Sequence, residues 1–406
     1  MKTNKNNTLY ILFIIAMYIF VFQNLLQKYF VMFQYFDEIF VLLTIPVFII
    51  YLSKNNFKIN IYKNDKKIIL FLGLIIFVGL IQNFRLNFQS PKYYLSDLLL
   101  FLKFFLGYFL SRLTLDKKFF DKYNKKIKNH VKLVTIILFL FTIANYIFKL
   151  YPAQVRYGII SNQLFYSHPT YLAAVCIFLF ALYVISNDKK FDIINIILIF
   201  LVISTLRIKA IASAMGVIII YSIIQRTNKK INLNKFAILA ILLVIVGYSQ
   251  FQYYFLSDGF ARKELLFTSF KIAGDYFPLG TGFATYATYF SGVSYSPVYY
   301  KYGLSTIWGL GVGENFFSDS FWPAILGQFG YLGLLSYLLI ILCLYRQIQS
   351  EYNSENNKIY IAKIVCLLYL LISSTSESAF FNTIAIPLSL IIGIMFNEEE
   401  IKNDGK

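Results

Sequence analysis

Long apolar stretches alternate with short polar ones from residue 9 to residue 396. About 20 residues of α-helix cross the hydrocarbon core of a bilayer. The pattern predicts 12 spanning helices, at 9–27, 36–52, 68–84, 95–111, 132–149, 170–186, 193–206, 210–225, 236–252, 323–345, 359–377 and 380–396. Those at 193–206 and 210–225 are short, and Pro387 interrupts the last. One segment breaks the alternation. Residues 253–322 form the only long loop, rich in Gly, Tyr, Phe and Ser. Loops beyond about 12–15 residues are mostly functional or disordered, and the aromatic content argues against a disordered linker. The expected organisation is helices one to nine over 1–252, a folded extracytoplasmic loop with short helices over 253–322, and helices ten to twelve plus a cytoplasmic tail over 323–406. The halves show no matching broken helices, the pattern that would favour a secondary transporter.

Composition agrees. Of the 406 residues, 58% are hydrophobic and 14% charged, with mean hydropathy +0.62. Soluble domains carry roughly 45–50% apolar and about 25% charged residues, so the chain reads as an all-α polytopic membrane protein. Cys176, Cys343 and Cys366 all fall in apolar runs and read as reduced core thiols. The polar start leads into the first apolar run without a small-residue cleavage site, which favours a retained first span over a signal peptide.

The net charge of +18, from 38 Lys and Arg against 20 Asp and Glu, reads as topology rather than as a nucleic-acid footprint. With the N-terminus inside, about two thirds of the cations fall in inner segments, as the positive-inside rule requires. An even span count then leaves both termini cytoplasmic.

The informative cations defy that bias. Arg207 and Lys209 share a tight outer turn, STLRIKAIAS. They either snorkel to lipid headgroups or bind phosphate on a lipid carrier. Arg262 opens an expected helix from about residue 261 to 273, and Arg156 lies in the loop before span six. Arg forks and helix N-termini both suit phosphate; the alternative for each residue is an ordinary surface Arg, and it weighs more for Arg156 than for Arg262. Few carboxylates lie outside. Glu314 and Asp319 stand together in GENFFSDSFWP. Asp319 is either an N-cap of the next helix or a general base. His168, in SHPTYLA, reads first as a cap, and His130, in a basic run, as solvated. Tyr295, Tyr299 and Trp308 suit either sugar stacking or loop packing. Glu377, near the outer end of span eleven, is an intramembrane ionisable group and so a functional suspect. Two histidines without an acidic cluster give no metal-ligand set, and no DxD pair is present. No cofactor is expected.

Four segments, in order, resemble the O-antigen ligase/polymerase family (Wzy/WaaL type). They are FYSHPTYLA (165–173), STLRIKAIAS (204–213), ARKELLFTSFKIAGDYFPLGTGFATY (261–286) and DSFWPAILGQFGYLGLL (319–335). They cover about residues 150–340, and the first 150 residues match only in hydropathy. Ser318-Asp319-Ser320 stands where ligases carry His-Asn, and the Ser-Arg-Gly-Ala turn lacks its Gly and gains Lys209; both departures favour a repeat-unit polymerase. The resemblance implies a GT-C-like fold in the bacterial cytoplasmic membrane and a metal-independent transfer of a growing glycan from undecaprenyl diphosphate onto the next lipid-linked repeat unit. It implies a chain-length regulator and a flippase as partners. Within it, Arg207, Lys209, Arg262 and Arg156 are the candidate diphosphate ligands, with His168 supporting them. Asp319 is the candidate base, with Glu314 as substitute. The alternatives are an O-antigen ligase of the same fold and a lipid-linked oligosaccharide flippase or exporter.

Overall fold

The computed structural model describes residues 2–54, 62–151, 154–187, 191–245, 260–354 and 357–395. The expected parts at 246–252, 253–259 and 396–406, Asp258 among them, lie outside these residues. The protein is almost wholly helical: α1 (Lys2–Tyr29), α2 (Phe36–Lys54), α3 (Lys63–Leu86), α4 (Pro91–Thr114), α5 (Lys117–Phe148), α6 (Pro169–Ser186), α7 (Ile193–Ser204), α8 (Ile208–Thr227), α9 (Leu233–Ile245), α10 (Ala261–Asp275), the short α11 (Tyr289–Val293) and α12 (Pro297–Lys301), α13 (Phe321–Ser350), α14 (Lys358–Ser374) and α15 (Ala385–Gly393). A small antiparallel hairpin, β1 (Val155–Arg156) with β2 (Ile159–Ile160), precedes α6.

Each expected span holds a helix. Among the described residues, eight of them, α1 to α6, α8 and α13, are long and apolar enough to cross a membrane. At 12, 17 and 9 residues, α7, α14 and α15 fall short of the ~20 residues a crossing takes, and α9 is described only as far as Ile245. The last span, expected at 380–396, begins instead at Ala385, because Pro387 has no N–H and fits only a first helical turn. The bundle is built around α6 and α14. Both are largely apolar and buried along nearly their whole length, as helices without an extended polar face must be. Peripheral helices expose leucines, isoleucines and phenylalanines outward, Leu42, Leu43 and Phe48 on α2 among them. The basic run before span five is not a loop. Asp116 caps it by accepting from the Phe119 N–H, and α5 runs on from Lys117 through the apolar stretch. His130, expected to be solvated, meets the Tyr18 hydroxyl at 3.0 Å and the Tyr10 hydroxyl at 3.1 Å, since that helix lies against α1.

Charge marks the two ends of the bundle. At the end where α4 and α13 finish, Arg112 is buried between Asp65 (3.0 Å) and Glu351 (2.5 Å), and Lys363 also pairs with Glu351. At the opposite end α6, α8 and α13 begin.

The long loop is not an appendage. Its buried side chains, Phe283, Tyr286 and Tyr299 among them, are continuous with the bundle core. Buried non-helical backbone needs partners for its N–H and C=O groups, and here α3, α4 and α13 supply several of them. The Asn83 carboxamide brackets Phe283, accepting from its N–H at 2.7 Å and donating to its carbonyl at 2.9 Å. Asp97 accepts from the Ala284 N–H at 2.8 Å. Span ten, expected as unbroken, kinks at Gly330 (φ 62°, ψ −163°). Carbonyls near the kink bond the loop instead, Gly327 to the Thr281 N–H at 3.1 Å and Gln328 to the Gly282 N–H at 2.8 Å, while the Pro278 carbonyl accepts from Leu332. A Cβ on Gly330 would stand 2.2 Å from the Pro278 oxygen, so the Pro-Leu-Gly-Thr-Gly segment and the kink form one device.

Candidate functional site

The site begins at the turn between α7 and α8. Leu206 takes a positive φ of 50° and Arg207 is the N-cap residue of α8. The chain before α6 is stitched to this turn: the Asn162 N–H donates to the Ser204 carbonyl at 3.0 Å and the Ser161 hydroxyl donates to the Thr205 carbonyl at 2.7 Å. The hairpin that carries Arg156 closes through Tyr157 and Gly158, both at positive φ, as a two-residue type I′ turn demands. Arg207 reaches back to it, donating to the Gln154 side-chain oxygen at 3.0 Å.

His168 caps α6 as expected. Its Nδ1 accepts from the Thr170 N–H at 3.3 Å, which assigns the ring proton to Nε2. Burial, then the charges of Arg207, Lys209, Arg156 and Arg262, push its pKa down to about 3. The ring is therefore neutral near pH 7 and presents a donor rather than a base. All four sequence-designated cations thus act on one imidazole, although they come from the hairpin, the α7–α8 turn and α10.

Two carboxylates complete the cluster. Arg262, in the first turn of α10, pairs with Asp319 at 3.1 Å. Lys209 pairs with Glu377 at 2.7 Å. Burial raises the Asp319 carboxyl above its ordinary range, against the pull of Arg262 and Lys209. Its side chain is still 37% exposed, so a hydroxyl can reach it. Among the described residues, these four cations and two carboxylates lie around the neutral imidazole. Arg side chains present forks that suit phosphate oxygens.

The structure decides between the alternatives left open for several other residues. Asp319 does not cap α13; Ser320 occupies the N-cap position, which frees the carboxylate for Arg262. Glu314 turns onto its own loop and accepts from the Gly311 N–H at 2.7 Å, because a tight Gly-rich turn needs an acceptor there. Tyr299 is fully buried, with its hydroxyl accepting from the Ala287 N–H at 2.9 Å; it is loop core rather than a stacking platform. Tyr295 donates to the Leu310 carbonyl at 3.0 Å, and only Trp308 of the three is largely exposed, at 68%. Lys103, buried on α4, is paired with Asp37 and Glu38. Glu377, a functional suspect from the sequence but assigned no partner there, joins the cluster through Lys209. Its signal was a lone acid at the same end as an unexplained lysine. Among the described residues no group of three His, Cys, Asp or Glu side chains is arranged to hold a metal ion.

No protein-family model matches the chain, and no curated protein is similar to it.

Proposed function

We propose that the protein is a bacterial inner-membrane glycosyltransferase of GT-C-like architecture with both termini cytoplasmic. It is a polysaccharide polymerase of the O-antigen or capsule type, moving a growing glycan from undecaprenyl diphosphate onto a lipid-linked repeat unit. The observation that carries this reading is the convergence of Arg156, Arg207, Lys209 and Arg262 around His168, with a carboxylate of raised pKa beside Arg262. In the reaction, the bond from the anomeric carbon to the diphosphate oxygen breaks, and its electron pair leaves with undecaprenyl diphosphate. The acceptor hydroxyl oxygen bonds to the anomeric carbon and gives its proton to Asp319. The cations and the Nε2–H of His168 neutralise the charge that develops on the leaving group. Preorganised donors of this kind are worth roughly 10²–10³ in rate each.

A ligase would use the same donor site with a different acceptor. An exporter would keep unpaired cations along a central path, whereas the deep Lys103 is neutralised by Asp37 and Glu38.

The test replaces Arg207 and Arg262 by Ala, separately, in cells lacking the wild-type gene. Long-chain polysaccharide on glycan gels should disappear while the protein stays membrane-inserted at normal level, and elongation by purified protein should survive EDTA. Normal chain length in both variants overturns the assignment.

A further inference from the structure

A second feature lies beside the cation cluster. Around the end of α1 and the start of α6 is a cleft of about 140 Å³, lined by Gln23, Asn24, Gln27, Gln34, Tyr171 and Thr383 with a few neighbours, none of them charged. That volume is well above the ~10–15 Å³ one water requires. The cleft is built into the fold. Asn24 accepts from the Ser167 N–H at 2.9 Å, Gln23 donates to the Phe33 carbonyl at 3.1 Å, and Thr383 donates to the buried Asp37 carboxylate at 3.0 Å. The side chains of Gln27 and Gln34 line the cleft and make no hydrogen bond to another described residue. The cleft adjoins the cluster through the chain: Ser167, which lines it, immediately precedes His168.

The chemistry of this wall differs from that of its neighbour. Phosphate is recognised by fixed cations. A sugar ring presents hydroxyls that both donate and accept, and carboxamides offer both functions. Aromatic side chains such as Tyr171 add an apolar body with a polar tip. An uncharged, amide-rich cleft next to a cationic cluster fits a ligand whose neutral part is a sugar and whose charged part is a phosphate.

We infer that this cleft is a monosaccharide subsite, holding a sugar ring whose lipid diphosphate lies on the cation cluster. The inference rests on the proposed function for its biological ligand, but the cleft and the cluster are separable by experiment. Full-length protein in nanodiscs is examined by saturation-transfer NMR with a panel of free sugars: glucose, galactose, N-acetylglucosamine, N-acetylgalactosamine, rhamnose and fucose. Binding of undecaprenyl diphosphate, which carries no sugar, is measured in parallel. At least one sugar should receive saturation. The double variant Gln27→Ala, Gln34→Ala should weaken that sugar roughly tenfold or more, as loss of two amide hydrogen-bonding groups implies. The same variant should bind undecaprenyl diphosphate normally, and Arg207→Ala should show the reverse. No saturation of any sugar, or undiminished saturation in the double variant, overturns the subsite. Sugar binding without undecaprenyl diphosphate binding leaves the subsite standing and overturns the parent reading instead.

Discussion

His168 shows how one side chain can belong to a helix and a site at once. Its Nδ1 closes the first turn of α6, and its Nε2–H remains for a ligand. Burial and four cations hold the folded ring's pKa near 3, against an ordinary value of 6.5. Between those values the unfolded chain binds a proton that the folded chain does not, so stability rises with pH from about 3 to 6.5 and is complete above that. His168→Asn keeps a capping side chain and removes the titration. Thermal unfolding followed between pH 4 and 7 should therefore show a shallower pH dependence in the variant than in the wild type. Equal slopes would mean that the ring is already charged in the folded protein. The identities of these residues were legible in the chain, since cations on the wrong side of a membrane are conspicuous. Their pairing was not, because Lys209 with Glu377 and Arg262 with Asp319 join positions far apart in sequence.

Among the elements, the join between the long loop and the Gly330 kink matters most. The loop's N–H groups bond to carbonyls of α13 near the kink, so neither piece is satisfied alone. Gly330→Ala sets a Cβ against the Pro278 oxygen and asks a non-glycine residue to hold φ 62°, ψ −163°, a strain of about 1–3 kcal/mol before the clash is counted. Limited proteolysis within residues 281–320 should speed up at least tenfold, with helical circular dichroism unchanged. Gly274→Ala, on the exposed side of α10 with nothing near its would-be Cβ, should be neutral or stabilising by up to about 1 kcal/mol. Matching proteolysis in the two variants would refute the interlock. Hydropathy located the loop and its aromatic content implied folding. It did not reveal the kink, because a broken helix has the same apolar composition as a straight one.

Across the whole molecule, charge is divided between two ends with different jobs. The cluster around His168 is partly open and rich in cations. The network of Asp65, Arg112, Glu351 and Lys363 is buried and balanced, and ties four helix ends together. Removing one partner of a buried pair strands the other, at about 3–5 kcal/mol. Glu351→Gln should lower stability in detergent by that order and do so with undecaprenyl diphosphate bound or absent, whereas Arg207→Ala should alter stability mainly when that lipid is present. Equal ligand dependence in both variants would contradict the division.

Apolar stretches of spanning length, polar punctuation and the placement of Lys and Arg determined that this chain is a helical membrane protein with one folded loop. These properties depend on local transfer of side chains between water and lipid, which each segment expresses alone. Tertiary structure decided that Glu377 neutralises Lys209, that Asp319 meets Arg262 instead of capping α13, that Tyr299 is core, and that α1 shapes a cleft beside the cations. Those outcomes depend on which helix ends meet, and no single segment carries that information.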